Sequence, residues 1–330
     1  MVRMLVIGDL HFQNNSEIDF FELFIDKIDK LLKKGNYDYC ILLGDIKHKF
    51  KNDDRVTQSL VCKLFNTITA HCKLYVLVGN HDMDDSQQYL TENHTLVSFK
   101  KWPDITIVDT PIFVKLGNIY AVFCPYVPKG RFLEALETVK YKNASIIFAH
   151  QEMQGCKMGS MVSIDGDCWE GDSPLLISGH IHTRQNVGDN IIYVGTPYDL
   201  GWDESEKRFV MDLTWNDSLK IKYILSSMPR KIIARLSYGD AIGWQLPETC
   251  DYYKLKICCT KSEYTDFIKT RKDLKGKVKM LHISSDEKRI NEFLLEKKKI
   301  GGSLDYKTIF KNMVDNENAN IQRTYKKVLI

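Results

Sequence analysis

The sequence predicts an α/β protein with a parallel sheet, and three observations carry that reading. Short apolar runs alternate with amphipathic helical stretches over the first hundred residues. Clusters of Asp, Asn and His follow those runs, as Asp9-Leu10-His11, Gly44-Asp45, Gly79-Asn80-His81-Asp82, His150 and Gly179-His180-Ile181-His182. Metal-ligating atoms must converge within about 2 Å of an ion. Residues this distant in sequence can therefore share one site only where several strands end at a common edge, which an open α/β sheet provides.

The first strand is Met4 to Ile7. Behind it, Phe21, Phe24, Ile25, Ile28 and Leu32 recur at the spacing of a buried helical stripe. The unit repeats as Tyr39 to Leu43 with a helix over roughly 54 to 69, and as Leu74 to Val78 before the Gly-Asn-His-Asp turn. From Ile105 the strands shorten, and Pro111, Gly117 and Pro125 punctuate them, which predicts a second and more antiparallel sheet starting with Ile105 to Val108. Ser145 to Ala149 leads into His150, Leu175 to Ser178 leads into Gly179-His180, and Ile191 to Val194 and Arg208 to Leu213 read as further strands. This grammar places a catalytic domain over residues 1–225. Met228-Pro229 marks a boundary before a small α+β domain over 228–285, and a charged helical tail follows over 286–330, with an apolar stripe of Tyr306, Ile309, Phe310 and Met313.

At 330 residues the chain has material for one large domain and a smaller one, and 44% hydrophobic with 27% charged residues is ordinary for a globular protein. A net charge of +3 implies no polyanion partner by itself. Nine cysteines are an odd number, irregularly spaced, which predicts a reducing, intracellular compartment and no disulfide framework. A strand from Val2 or Arg3 leaves no room for a signal peptide, and no apolar run approaches about 18 residues, so no membrane span is expected.

Carboxylate, imidazole and amide oxygen form a mixed N/O donor set. That set suits Mn, Fe or Zn better than Mg, and manganese is the expected metal. A bridge between two cations should be a carboxylate, and Asp45 is the candidate because Asp9 is paired with His11 in one short loop. Two ions about 3.5–4 Å apart activate water and clamp the oxygens of an in-line phosphoryl displacement. His81, beside Asn80, can then donate a proton to the leaving oxygen or bind the phosphate. Each cluster has an ordinary explanation singly, since Gly-Asp and Gly-Asn are turn dipeptides; the constellation is what points to a metal site.

The order of these motifs resembles the calcineurin-like metallophosphoesterase superfamily over roughly residues 1–215. The resemblance implies a four-layer α/β/β/α core with a small α+β capping domain and C-terminal helices. It also implies a ligand partition: Asp9, His11, Asp45 and His182 for one ion, Asp45, Asn80, His150 and His180 for the other, with His81 catalytic and not a ligand. Asp45-Ile46-Lys47-His48 further resembles the Gly-Asp-Leu-Phe-His segment of SbcD-type DNA double-strand-break repair nucleases. The Arg expected shortly after this Asp in protein Ser/Thr phosphatases is missing. Gly195-Thr196-Pro197-Tyr198 agrees with that subfamily, and the compact form resembles viral recombination nuclease subunits, which makes a virus-encoded protein an expectation.

That subfamily implies a manganese-dependent 3′ to 5′ double-strand exonuclease and single-strand endonuclease. His48 would lie near the scissile phosphate. Lys47, Lys49, Lys51 and Arg55 would meet DNA phosphates, or else form a solvated face. The long segment Gln151 to Pro174 would shape the DNA-facing rim or form a flexible loop. An SMC-like ATPase of the SbcC type would bind the C-terminal helices, whose stripe could equally pack on the capping domain. A homodimer would form through helices near Phe21 and Val61, unless those stripes are core. Two rival readings are a small-molecule or cyclic-nucleotide phosphodiesterase and a non-catalytic scaffold; lost ligands would mark the second, and none is lost.

Overall fold

The computed structural model describes residues 1–13, 18–48 and 54–284. In chain order the larger part comprises β1 (Val2–Ile7), α1 (Ile18–Gly35), β2 (Tyr39–Leu42), α2 (Arg55–Thr69), β3 (Lys73–Leu77), β4 (Ile105–Val108), β5 (Ile112–Leu116), β6 (Ile119–Cys124), α3 (Phe132–Glu137), β7 (Ile146–Ala149), β8 (Lys157–Met158), β9 (Met161–Val162), β10 (Leu175–Ser178), β11 (Gln185–Val187), β12 (Ile191–Tyr193), β13 (Phe209–Trp215) and β14 (Leu219–Leu225). It continues into β15 (Lys231–Ser237), α4 (Tyr238–Gly243), β16 (Tyr252–Cys259), α5 (Lys261–Thr270) and β17 (Lys279–Ser284).

Two six-stranded sheets face each other. The first has the order β14-β13-β1-β2-β3-β4, with β1 to β4 parallel and β13 and β14 antiparallel beside β1. The second has the order β11-β12-β10-β7-β6-β5, parallel from β6 through β7 and β10 to β12 and antiparallel at both edges. Side chains alternate across each strand, and the alternation sorts three cores. Met4, Val6, Ile41 and Leu43 of the first sheet meet Phe123, Ile146, Phe148 and Ile177 of the second. Leu5, Ile7, Cys40 and Leu42 point the other way, onto α1 and α2. Ile147, Ala149 and Leu176 pack against Phe132, Ala135 and Leu136 of α3. The layers therefore run α/β/β/α. An aromatic pair crosses the seam, Tyr75 of the first sheet stacking on Phe123 of the second with centroids 4.4 Å apart, and Phe148 stacks beside Phe123 within the second sheet at 5.1 Å.

Three expectations change here. Ile105–Val108 belongs to the first sheet, parallel to β3, and the second sheet has a parallel centre; strand length and nearby prolines do not encode pairing direction. The stripes of α1 and α2 are core, since Phe21 and Val61 are buried against the first sheet, so these stripes are not the surface of a homodimer. The segment after His150 is anchored: it forms the β8–β9 hairpin, Gln151 Nε2 donates to Asp167 Oδ2 at 2.8 Å, and Trp169 packs on Phe132 and Tyr141.

The described residues divide into two compact units, Met1–Ile232 with Cys250–Tyr252, and Ile233–Thr249 with the described residues from Tyr253 on. In the second, β15-β16-β17 form one sheet, and Leu255, Ile257, Cys259 and Phe267 are buried. A capping box closes the start of α5, with Thr260 and Glu263 reciprocally bonded. The stripe of Tyr306, Ile309, Phe310 and Met313 lies outside the described residues. No helix among the described residues is long and apolar enough to cross a membrane.

Candidate metal centre

The parallel strands of both sheets deliver the motif residues just past their C-terminal ends. Asp9 and His11 follow β1, Asp45 follows β2 and Asn80 follows β3; His150 follows β7, and His180 and His182 follow β10. Backbone bonds then stitch the loops together. The Leu10 and His11 amides donate to the Asp45 carbonyl at 3.1 and 2.9 Å, His180 N donates to Asp9 Oδ1 at 2.8 Å, and His81 N donates to Asp45 Oδ1 at 2.8 Å.

All seven predicted ligands converge. Ligand atoms of Asp9, His11 and His182 lie within 4.8 Å of one another, as do those of Asp9, Asp45 and His150, and those of His11, Asp45 and His81. His11 Nε2 is 3.1 Å from His182 Nε2 and 3.6 Å from Asp45 Oδ2. On the other side, Asn80 Oδ1 is 3.0 Å from His150 Nε2 and 2.9 Å from His180 Nδ1, and His150 Nε2 is 3.3 Å from Asp45 Oδ1. Asp45 thus touches both groups through its two oxygens. The floor, Asp9, Asp45 and His150, is buried, whereas His182 and His48 are exposed.

The donor chemistry fits divalent cations. Asp9 Oδ2 is buried without a hydrogen-bond partner, a costly state for a carboxylate oxygen unless something else satisfies it. Burial holds His11 and His180 down to about 3, with the charge on neighbouring histidines acting the same way, so both rings are neutral and offer a lone pair. Burial raises the Asp9 carboxyl. At Asp45 burial also pushes upward, but His150 and the other imidazoles outweigh it and hold the carboxylate below its usual range. Burial works against a charged His150, yet Asp45 and Asp9 raise it to about 9. A cation bound here replaces that proton. His150 Nδ1 donates to the Leu43 carbonyl at 2.7 Å, which aims Nε2 at the cluster.

The glycines of the motifs have a steric reason. Gly44 has φ +104°, and a Cβ there would lie 2.5 Å from His150 Nδ1; one on Gly79 would lie 2.3 Å from Asp45 Oδ1. His11, Asp45 and His180 themselves adopt positive φ, at 50°, 49° and 73°. Left-handed backbone at non-glycine residues costs about 1–3 kcal/mol each, and here it turns ligands into a shared space.

His81 Nδ1 donates to the His48 carbonyl at 2.7 Å, and the His48 and His81 rings lie nearly parallel with centroids 6.0 Å apart. Both rings make edge contacts with His11. Lys47 is a correction: it is 1% exposed, its Nζ donates to Gln58 Oε1 at 2.7 Å, and its amide donates to Asp82 Oδ1 at 3.0 Å. The bridge pairing Phe12 with Lys47 draws this loop into the protein and away from solvent phosphates. Lys49 and Lys51 lie outside the described residues. Arg55 is exposed in the first turn of α2.

Sequence reasoning missed Asp82 and Tyr126. Buried Asp82 accepts the amides of Gly79 at 3.0 Å and Ile46 at 3.2 Å besides that of Lys47, which locks the Asp45 and Asn80 loops together. Burial and the Asp45 charge raise its carboxyl to about 6. Its adjacency to His81 was the available signal. Tyr126 stacks on His180, and nothing in its sequence surroundings marks it.

The family model described as calcineurin-like phosphoesterase matches residues 2–184. This chain belongs to that family. Its members use divalent metal ions, and the cluster above groups side chains that could hold one. Family relatives include "Putative phosphoesterase 244L" of Invertebrate iridescent virus 6, 37% identical over 234 residues, covering 70% of this chain and 82% of the relative. "Putative phosphoesterase 078R" of Invertebrate iridescent virus 3 is 33% identical over 279 residues, 82% of this chain and 80% of the relative. "Exonuclease subunit 1" of Enterobacteria phage T4 is 26% identical over 216 residues, 63% of each chain. The chain is accordingly a phosphoesterase-family protein acting on phosphate esters, with viral relatives.

Proposed function

We propose that this chain is a manganese-dependent DNA nuclease, a 3′ to 5′ double-strand exonuclease and single-strand endonuclease. In this reading it serves recombination or break repair with an SMC-like ATPase of the SbcC type, and is virus-encoded. The observation that carries it is His48, held beside His81 on the exposed side of the donor cluster. A phosphodiester strand laid there meets both imidazoles. Similarity to a phage protein named as an exonuclease subunit supports the substrate and the idea of a partner.

Asp9, His11, Asp45 and His182 would hold one ion, and Asp45, Asn80, His150 and His180 the other, with Asp45 shared. Such a pair supplies Lewis acidity and activates water toward phosphorus. The protein's own part is positional. The His48 carbonyl fixes the His81 ring through Nδ1, and the ring's Nε2 would deliver a proton to the leaving oxygen. His48 orients the phosphate next to it, and exposed Arg55 adds a backbone contact. The second unit would act as a capping domain.

With manganese and end-labelled duplex DNA the full chain should release nucleotides, and Asp45→Ala should abolish release. His48→Ala should slow duplex degradation by about 10²-fold or more while sparing bis-p-nitrophenyl phosphate. DNA affinity should fall steeply with salt. Turnover of small diesters with no activity on DNA would overturn the nuclease reading and favour a small-molecule phosphodiesterase.

A further inference from the structure

Tyr126 occupies a position that the proposed reaction does not use. It follows β6, and its amide donates to the Val78 carbonyl at 2.8 Å, directly before the Gly79-Asn80 turn. The next residue, Val127, is bonded both ways to the Gln151 side chain: its amide donates to Oε1 at 3.3 Å, and its carbonyl accepts from Nε2 at 3.0 Å. Gln151 follows His150 in the chain. The tyrosine backbone is therefore pinned between the loop that carries Asn80 and the strand end that carries His150.

Its ring then completes the set. It stacks on His180 with centroids 5.7 Å apart and planes inclined by 29°, and it meets the edge of His150 at 6.2 Å and 75°. His150 and His180 are themselves packed edge to face at 5.1 Å. One half-buried side chain thus braces both imidazoles that converge on Asn80 Oδ1, while its backbone braces the amide's loop. No ring contact joins it to His11 or His182 among those described. Groups that fix the orientation of a ligating imidazole commonly change metal affinity by about 10- to 100-fold when removed.

We propose that Tyr126 is a positioning residue for one ion of the pair, holding Asn80, His150 and His180 in register through its flat ring and not through its hydroxyl. The inference rests on the two-ion reading of the site. It predicts an asymmetric defect, in which the ion between Asn80, His150 and His180 is weakened and the ion at Asp9, His11 and His182 is spared.

The test titrates manganese into the full-length wild type, Tyr126→Phe and Tyr126→Leu by calorimetry, with electron paramagnetic resonance on the same samples. The wild type and Tyr126→Phe should each take two ions and show the signal of an exchange-coupled pair. Tyr126→Leu keeps apolar bulk without a planar ring, and one of its two ions should bind about 10- to 100-fold more weakly. The coupled signal should then give way to that of isolated manganese at intermediate concentration. Two ions bound as tightly in Tyr126→Leu as in the wild type would overturn the proposal. So would equal weakening of both, or a Phe variant that behaves like Leu. A wild type that binds fewer than two ions would instead refute the two-ion reading itself. Thermal melting of each variant identifies any loss that comes from unfolding, in which case the Phe variant still decides between ring and hydroxyl.

Discussion

The two sheets contribute different chemistry to one seam. Among the predicted ligands, strand ends of the first supply three oxygen donors, Asp9, Asp45 and Asn80, and one imidazole, His11; strand ends of the second supply imidazoles alone, His150, His180 and His182. Neither sheet holds a complete set. The first has the carboxylates and the second the imidazoles that face them, so the site exists only where the inter-sheet core brings the two edges together. Packing and function share the same residues in sequence: Phe148 is a core residue, and His150 stands two positions on. The donor cluster is therefore positioned by the apolar core between the two sheets.

The most damaging way to break this comparison is to loosen the seam. Phe148→Ala removes a fully buried ring stacked on Phe123 and should cost about 3–5 kcal/mol, seen as a large drop in the denaturation midpoint. Ion affinity should fall with it, because the second sheet's imidazoles lose their reference to the first sheet's carboxylates. A variant as stable as the wild type would show that the seam is not what holds the site.

A smaller perturbation sits where the sheets nearly touch. Gly44→Ala forces a Cβ toward His150 Nδ1 from a residue at φ +104°. It should cost about 1–3 kcal/mol of stability and displace His150 from the Leu43 carbonyl. Ion binding measured by calorimetry should weaken, while the far-ultraviolet circular dichroism stays unchanged.

Charge exchange between the sheets sets a pH dependence. His150, raised to about 9, carries a proton at neutral pH in the ion-free chain, and Asp45 is its main partner. Binding a cation expels that proton, so manganese affinity should rise as pH increases from 7 toward 9 and flatten above it. The same linkage acts on the ion-free fold with the opposite sign: the stabilisation from charged His150 is complete below the unfolded value near 6.5 and is lost as pH rises through about 9. Calorimetric titrations in buffers of different protonation enthalpy should detect proton release at pH 7.

The mildest test stays away from the seam. Asp54 caps α2 by accepting the Val56 and Thr57 amides at 3.0 and 2.9 Å. Asp54→Ala should cost about 1 kcal/mol and leave ion affinity unaltered, which separates general stability from the integrity of the seam.

The motif residues were legible because each is a rare donor following an apolar run, a pattern that survives without any knowledge of pairing. The helices were legible too: the 3.6-residue spacing of Phe21, Phe24, Ile25 and Ile28 is the spacing that the structure buries. Sheet membership was not, because Ile105–Val108 reads the same in either sheet and only its tertiary partners decide. Lys47 misled for a related reason. A lysine between other basic residues looks solvated, and its burial goes with a bridge to Phe12, the carboxylate of Asp82 and the side chain of Gln58, partners that no local pattern marks. Tyr126 was invisible because its importance lies in ring contacts to His150 and His180, which no local pattern records.

In the proposed reading two cations sit across the seam with Asp45 between them. Crystals of the full chain grown with manganese, with anomalous scattering recorded at a wavelength where manganese scatters strongly, test it most directly. The account predicts two anomalous peaks about 3.5–4 Å apart, flanked by Asp9, His11 and His182 on one side and Asn80, His150 and His180 on the other, with one Asp45 oxygen on each. A single peak, or two peaks that do not share Asp45, would contradict it.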